Sequence, residues 1–314
     1  MDQARPFEFQ VSREELVSAF EPFVQRRFER GDLGWKRRVL RTGIKKLGAY
    51  WKHRVLSVLE KPQPAQHTVK QAYEQQWRET RFSEQLSTAG KRSACVWGTE
   101  RMLASGIGLK RVHHSLLIRA FETIQPTSVL EVGCGNGLNL FVLAGHFPHP
   151  RFSGIELSHQ GVAAAHRVCE QSRLPDEILA FADGLIVDPS AHQRLDIRQG
   201  SAQSLPFATN SFDVVFTVMA LEAMEEIRHD ALRELARVAR QYVIMVEPFL
   251  DFNTRGIRSY HHARHNYFRA KVEELPHDGL EPLLVYSDMP HRLRLRPALV
   301  IARPIDAALS SEVP

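Results

Sequence analysis

Cysteine is scarce in this 314-residue chain, and the three cysteines lie far apart in the sequence. Cys95, Cys134 and Cys169 form no C-x-x-C pair, which excludes a zinc ribbon and a dithiol redox motif. Sparse cysteine usage is typical of a reducing compartment, so we expect a cytoplasmic protein. No apolar run approaches the ~18 residues that a transmembrane helix needs, and the segment Met-Asp-Gln-Ala-Arg at the start lacks the apolar core of a signal peptide.

Acidic residues are almost absent from residues 34–61, which hold nine lysines and arginines against the single acid Glu60. The net charge of the whole chain is only +5, so the rest of the chain is slightly acidic. The basic character is therefore local, and the chain as a whole is not a polybasic protein.

Three regions differ in their residue patterns. Residues 1–62 have apolar residues at helical spacing and are predicted to form a basic amphipathic helical extension. Residues 61–66 hold two prolines and no apolar pattern, which indicates a linker. Residues 63–109, with an aromatic-rich stretch around Trp77, are predicted to form a helical cap, and residues 110–305 the main domain.

Short β-rich runs alternate with helical runs through the main domain. Strands that alternate with helices predict parallel βαβ units, and therefore an α/β fold with a doubly wound sheet. The connection 172–192 is longer than usual and is predicted to be an extra helical element or a lid. The predicted strands are 128–132, 152–157, 195–198, 213–217, 242–246, 283–286 and 298–302, and the predicted helices are 138–144, 161–170 and 231–239.

A glycine-rich turn follows the first of these strands, in the stretch Val-Leu-Glu-Val-Gly-Cys-Gly-Asn-Gly that ends at Gly137. Glycines allow a sharp turn and a close ligand, and the helix that follows offers free N–H groups. The dinucleotide fingerprint would need glycine where Leu138 stands, and no Lys-Ser/Thr pair follows for a P-loop. The acid Glu131 before the glycines would repel a pyrophosphate and suits a cationic ligand.

A second acid, Glu156, ends the next strand 23 residues after Gly133. A carboxylate in that place can accept hydrogen bonds from both ribose hydroxyls of an adenosine. The segments Gly200-Ser-Ala-Gln-Ser-Leu-Pro-Phe and Ser211-Phe-Asp-Val-Val-Phe then follow in order.

This order of segments resembles the class I S-adenosylmethionine-dependent methyltransferases, in particular the small-molecule subgroup, over residues 110–250. The resemblance implies a Rossmann-like methyltransferase fold, in which a seven-stranded, mostly parallel sheet has its last strand inserted antiparallel. It also implies S-adenosylmethionine as cofactor, with Glu131 facing its methionine end and Glu156 holding its ribose. The implied cofactor contacts are Glu131, Gly133, Cys134, Gly135, Asn136, Gly137, Glu156, Leu157, Ser201, Ala202, Thr217 and Met219.

Two positions depart from the family pattern. Ser201 stands where the family usually has an acid that holds the adenine amino group. Ala223 follows Leu221-Glu222, where many members have a histidine that can act as a base.

Candidate catalytic residues follow the strands 213–217 and 242–246, because ligands bind at the carboxyl ends of strands in such sheets. They are Glu222 and two histidines, His261 and His265, which are spaced to share a helix face. A metal would need a third ligand that the pattern does not provide, so no metal site is predicted. The arginines and histidines around them fit either a solvated basic loop or the binding of an anionic acceptor.

The basic stretch 35–59 has three interpretations. It can pack on the domain with its lysines in water. It can lie on a membrane surface, with tryptophans at the interface and lysines on anionic headgroups. It can contact nucleic acid, which is the least favoured because no RNA-binding module accompanies it and the Asn/Asp-Pro-Pro-aromatic motif of nucleic-acid amino methyltransferases is missing.

Methyl transfer to oxygen or nitrogen of a small or lipid-linked, anionic acceptor is the leading functional hypothesis. A non-catalytic methyltransferase-like binding protein is the first alternative. An RNA methyltransferase is the second, and it predicts salt-sensitive RNA binding through Lys45 and Lys46.

Overall fold

The computed structural model describes residues 9–57, 65–87, 92–265 and 268–305. Its strands are β1 (Val24–Phe28), β2 (Arg92–Trp97), β3 (Glu100–Ser105), β4 (Ser128–Val132), β5 (Arg151–Glu156), β6 (Asp196–Gln199), β7 (Phe212–Val218), β8 (Ala239–Glu247), β9 (Leu280–Tyr286), β10 (His291–Arg292) and β11 (Ala298–Pro304). Its α-helices are α1 (Arg13–Phe20), α2 (Leu33–Ser57), α3 (Ala65–Glu79), α4 (Phe82–Gln85), α5 (Gly106–Ile124), α6 (Leu138–His146), α7 (His159–Cys169), α8 (Asp176–Ala182), α9 (Arg228–Val238) and α10 (Ile257–His265).

The main sheet has seven strands in the order β6-β5-β4-β7-β8-β11-β9. The five strands from β6 to β8 are parallel, and β11 is antiparallel to both of its neighbours, β8 and β9. The predicted doubly wound sheet is confirmed, including the last strand inserted antiparallel. The predicted strands and helices of the main domain agree with the structure to within a few residues.

Side chains alternate across the central strands into two cores. In β4, Val129 packs in the core on one face and Leu130 in the core on the other; in β7, Val214 and Val215 divide in the same way. Because helices cover both faces, both kinds of position must be apolar. This is why the central strands contain consecutive apolar residues, such as Val129 and Leu130 in β4 and Val214 and Val215 in β7.

A second, four-stranded antiparallel sheet has the order β1-β3-β2-β10. The helical prediction is therefore wrong at Val24–Phe28 and across β2 and β3. The apolar pair Val24 and Phe28 is four residues apart, a spacing that places two side chains on one face of a strand as well as of a helix. The division of the chain at 62 and 109 remains a prediction.

Residues 172–192 form α8 and a short 3-10 helix, Ala191–Arg194. They pack on α6, where the amides of Val187 and Asp188 donate to the carbonyl of Gly145 at 2.8 and 2.9 Å. Of the two predicted alternatives, the structure supports an extra helical element.

Helix α2 packs on α10, with Gly43 against Ile257. Its Trp35 is buried against Phe28, with 5.4 Å between the ring centroids. The predicted linker 61–66 and the end of the predicted helix 35–59 fall largely outside the described residues, and α3 begins at Ala65. Among the described helices, none has the length and apolar character needed to cross a membrane.

Asp213 at the start of β7 ties together the starts of neighbouring strands. Its carboxylate accepts hydrogen bonds from the amide and hydroxyl of Thr127 at 2.8 and 2.6 Å and pairs with Arg240. Burial alone would raise the pKa of Asp213, but the bonds from Thr127 and Arg240 outweigh it and hold the pKa well below its usual range.

Replacing Asp213 with asparagine should lower the free energy of unfolding by about 2–3 kcal/mol at neutral pH, because a buried charged acceptor is lost. Asp196→Asn, which breaks an exposed pair with Arg198 on the edge strand β6, should cost less than about 0.5 kcal/mol. A depressed native pKa stabilises the fold above the unfolded pKa, so the deficit of Asp213→Asn should shrink as pH falls below about 4. Urea unfolding at several pH values measures both effects, and equal losses in the two variants would contradict the assigned role.

Candidate active site

A cavity of about 600 Å³ lies at the carboxyl ends of β4, β5 and β7. Such ends are where ligands bind in doubly wound sheets. No residue of 172–192 is among the described residues that line it. Of the residues predicted from the sequence, those in the lining are Gly133, Cys134, Gly135, Asn136, Glu156, Leu157, Ser201, Ala202, Met219 and Glu222.

The turn after β4 requires its glycines. Gly133, Gly135 and Gly137 have φ of +78°, +57° and +82°, the left-handed region where residues with a Cβ are strained. A Cβ on Gly133 would lie 2.5 Å from the Cβ of Ala220, and one on Gly135 would lie 2.5 Å from the Trp77 ring. Gly137 is the N-cap of α6, so the free amides of that helix begin where the turn ends.

Glu156 reaches back from the end of β5 to this turn. It is 6% exposed, and its carboxylate accepts hydrogen bonds from the amides of Gly135 and Ser158, both at 2.9 Å. Burial raises its pKa, and the two amides partly offset this shift. The carboxylate therefore joins the glycine turn to the start of α7, and it lines the cavity where the resemblance places a ribose.

Glu131 lies just beneath the lining and has an unused acceptor. Its Oε1 accepts from Asn139 Nδ2 at 2.6 Å, and Asn139 Oδ1 in turn bonds His114 Nε2 at 2.8 Å. Within the described residues, Glu131 Oε2 is buried without a partner. Burial raises the pKa of Glu131 to about 8, so a cationic ligand group near Oε2 would stabilise the ionised form. This unpartnered acceptor fits the ammonium of S-adenosylmethionine, which is a hydrogen-bond donor.

The loop after β7 forms another wall of the cavity, and a hydrogen bond to Glu247 holds it in place. Met219 has φ of +52°, an uncommon value for a side-chain-bearing residue. Glu247, fully buried at the end of β8, accepts from the amide of Ala220 at 2.9 Å. Thr217 is buried in β7 under this loop and is not in the lining. The hydroxyl of Ser201, on the other side of the cavity, accepts from the Gln203 amide at 3.2 Å.

Helix α3 covers the glycine turn, a role that sequence reasoning missed. The Glu74 carboxylate accepts from the amides of His159 and Gln160, both at 2.9 Å, and so caps the first turn of α7. Trp77, one turn further on, packs against Gly135. The aromatic stretch around Trp77 was visible in the sequence, but nothing in it indicated which surface the helix would cover.

Glu222 lies on the opposite side of the cavity from Glu156, after β7. Its Oε2 is buried without a partner within the described part of the chain. Burial raises the pKa of Glu222 to about 7, and Arg292 and Arg294 limit the rise. A carboxyl with a pKa near neutrality, facing a cavity, has the properties of a general base.

The two predicted histidines are on a different element from Glu222. Both lie on α10, which packs on α2, and His261 is 3% exposed and outside the cavity lining. The side chain of His265 is outside the described residues. The titratable groups that sequence reasoning missed here come from α5 and from the segment around β10: Lys110, His113, His291 and Arg292.

Comparison with known proteins finds similarity over the part of the chain that contains the glycine turn, Glu156 and Glu222. A family model described as a methyltransferase domain matches residues 130–246. The chain is similar to geranyl diphosphate C-methyltransferase from Streptomyces coelicolor A3(2), with 11% identity, coverage of 78% of this chain and 100% of that chain, and a TM-score of 0.46. It is also similar to the N-methyltransferase NodS from Bradyrhizobium japonicum WM9, with 15% identity, coverage of 63% and 97%, and a TM-score of 0.45.

The family match extends from β4 to β8 and includes the glycine turn, Glu156 and Glu222. The seven-stranded sheet with its inserted last strand, the turn that excludes Cβ atoms and the unused acceptor of Glu131 agree with it. Residues 130–246 therefore match a methyltransferase domain, and the glycine turn, Glu131 and Glu156 form a site that fits S-adenosylmethionine.

Proposed function

We propose that the enzyme transfers a methyl group to an oxygen or nitrogen of a small acceptor bound beside Glu222. One observation carries this proposal. The cavity that begins at the glycine turn continues to a buried carboxyl with an unpartnered oxygen and a pKa of about 7. A general base is needed when the nucleophile is a weakly acidic hydroxyl or a protonated amine.

In an in-line displacement, some of these residues would bind the cofactor and another would deprotonate the acceptor. S-adenosylmethionine, when bound, supplies a methyl group on a positively charged sulfur, which leaves as a neutral thioether. Glu156 would hold the ribose hydroxyls, and Glu131 the ammonium. Glu222 takes the proton of the acceptor O–H or N–H as the new bond to the methyl carbon forms and the electrons of the broken carbon–sulfur bond go to sulfur. Aligning the partners supplies much of the remaining rate.

An acceptor screen tests the reaction. The release of S-adenosylhomocysteine is measured with hydroxy- and amino-substituted aryl acids and with lipid-linked analogues, using heat-inactivated enzyme as the control. Release that depends on both acceptor and enzyme, with mass spectrometry locating the methyl on oxygen or nitrogen, supports the proposal. Products methylated only on carbon would overturn it.

An exposed apolar stripe on α2 supports a lipid-linked acceptor. Leu33, Leu40 and Ile44 are 68%, 62% and 63% exposed, and steps of seven and four place them on one helix face. Arg37 and Arg41 lie beside the stripe, and neither has an acidic partner among the described residues. No acidic residue occurs in α2. Apolar side chains flanked by cations match an anionic membrane surface, whereas an RNA partner gives no reason for the leucines.

Binding to vesicles tests the α2 stripe. The enzyme should cosediment with vesicles of phosphatidylcholine and phosphatidylserine but not of phosphatidylcholine alone. Replacing both Leu40 and Ile44 with serine should weaken binding by about tenfold or more, since each buried apolar side chain contributes about 1.5 kcal/mol or more. Val187→Ser, a change at an apolar residue that is 70% exposed elsewhere, is the matched control.

Equal binding to both vesicle types, or equal binding by the control and the Leu40/Ile44 variant, would contradict membrane contact. Salt-sensitive RNA binding that is unaffected by the two serines would instead favour the RNA interpretation.

A further inference from the structure

One wall of the cavity collects positive charge at the N-terminus of α5. Gly106, Lys110 and His113 of this 19-residue helix line the cavity, so its positive end faces the ligand space. The Arg292 guanidinium packs against the first turn, with Nη2 only 2.9 Å from where a Cβ on Gly106 would lie. A cation at a helix N-terminus is repelled by the helix dipole, the reverse of the stabilising arrangement.

Lys110 adds a second cation one turn further along. It is half-buried, and no carboxylate lies within ion-pair distance of its ammonium in the part of the chain that the structure describes. Burial and the nearby Arg292 lower the pKa of Lys110 to about 8, with the charge of Glu131 limiting the fall, which leaves the group mostly protonated at neutral pH. Two cations and a helix N-terminus therefore meet in one wall of the cavity.

His113 supplies an independent sign of a ligand. It is 8% exposed, lines the same wall, and its buried Nε2 has no partner within the described residues. Burial, with His114, Lys110 and Arg292 nearby, lowers the pKa of His113 to about 3, so the ring is neutral. A neutral imidazole can donate one hydrogen bond from Nε2 without adding charge. The unpartnered Nε2 of His113, close to the cations Lys110 and Arg292, therefore fits a negatively charged acceptor oxygen of a ligand.

We propose that the acceptor carries an oxyanion, a carboxylate or phosphate, which Lys110, Arg292 and His113 bind at the N-terminus of α5. The proposal rests on the proposed function, since the anion belongs to the methyl acceptor. Arginine and lysine are the side chains that bind such groups through charge-assisted hydrogen bonds.

The position of Arg292 relates the anion to the nucleophile. Arg292 lines the same cavity as Lys110 and Glu222, and its positive charge lowers the pKa of both groups, so the proposed anion site and the proposed base share one arginine neighbour. A single small molecule can therefore present its oxyanion to Arg292 and its nucleophile to Glu222. Two of the four glutamates in the same lining oppose an anion only weakly, because Glu225 is paired with Arg228 at 3.1 Å and Glu226 is exposed.

Fluorine NMR titration of the intact enzyme tests the anion site without needing the true acceptor. The probes are 4-fluorobenzoate, its neutral counterpart 4-fluorobenzamide, and 4-fluorophenyl phosphate, each with S-adenosylhomocysteine present. Affinity for the two anions should fall about tenfold or more in Lys110→Met and in Arg292→Met, while affinity for the amide stays unchanged. Lys110→Arg, which keeps the charge, should retain most of the affinity. Arg303→Met is the matched control. It removes an arginine of β11 that is paired with Glu281 of β9.

The outcomes separate the anion site from the proposed function. Anions and amide that bind alike, or anion affinity that survives both methionine variants, would overturn the anion site, as would the absence of saturable binding by either anion. Whichever of the two anions binds more tightly identifies the headgroup. Calorimetric titration of the same samples with S-adenosylhomocysteine shows whether the cofactor site is intact. If the wild type fails to bind it, the proposed function fails independently of the anion result.

Discussion

Replacing Gly135 with alanine is expected to abolish measurable cofactor binding while leaving the enzyme folded. The backbone at Gly135 has φ of +57°, and a new Cβ would lie 2.5 Å from the Trp77 ring that covers the turn. Gly135 also lines the cavity. The turn would have to shift, and the Gly135 amide would lose its bond to Glu156. We expect a loss of affinity for S-adenosylhomocysteine of about 100-fold or more, equivalent to about 2.7 kcal/mol.

Gly184→Ala is the matched control for backbone strain. Gly184 has φ of +81°, is exposed in the 172–192 connection, and has no atom within 4 Å of its added Cβ. Both variants carry a strained residue at a cost of about 1–2 kcal/mol of stability, but only one of them is at the cavity. Calorimetric titration and thermal unfolding of both proteins make the comparison. Normal cofactor binding by Gly135→Ala would remove the glycine turn from the site.

Glu222→Gln is expected to lower kcat by about 10²–10⁴-fold with any hydroxyl acceptor found in the screen, because it removes the base and keeps the shape. Cofactor affinity should not change, since the residues assigned to the cofactor are untouched. Glu177→Gln on α8, exposed and outside the cavity lining, should retain wild-type activity.

The pH profile distinguishes a base from a structural carboxyl. The pKa of Glu222 is raised to about 7, so the carboxyl is protonated and inactive at pH 5–6 and becomes ionised above neutrality. The wild-type kcat should rise through pH 7 and level off near pH 8, and the rise should be missing in Glu222→Gln. A variant that is slow at every pH but keeps the same rise would show that Glu222 only supports the loop after β7.

The fold was largely predictable because its central strands are buried on both faces. The run Val-Ile-Met-Val that ends at Val246 in β8 has four consecutive apolar residues, a pattern typical of a strand that is buried on both faces. The cofactor turn was predictable for a different reason. Three glycines, Glu131 and Glu156 lie close together in the sequence, and a strand, a turn and a helix bring them together with little help from the rest of the chain.

The second sheet was not predictable in the same way. Its strands are short, and the spacing of Val24 and Phe28 fits a helix as well as a strand. The signal that could have revealed it is the alternation of Cys95 and Trp97, both buried, followed by a turn at Gly98 with φ of +57°.

The proposed acceptor site could not be predicted from the sequence as a whole, because its residues come from distant segments of the chain. Lys110 on α5, Glu222 after β7 and Arg292 on β10 meet only once the sheet has formed. The sequence predicted Glu222, His261 and His265 for this site, the two histidines because of their spacing on one helix. The structure shows that α10 packs on α2, with His261 outside the cavity lining.

Calorimetric titration of the wild type and Glu156→Ala with S-adenosylmethionine and S-adenosylhomocysteine tests the assignment of the cofactor site most directly. The carboxylate of Glu156 is fixed by two amide hydrogen bonds and lines the cavity where the ribose is expected. We predict saturable one-to-one binding of both compounds to the wild type and none to Glu156→Ala, with Glu177→Gln behaving as wild type. No binding to the wild type, or unchanged binding to Glu156→Ala, would contradict this assignment.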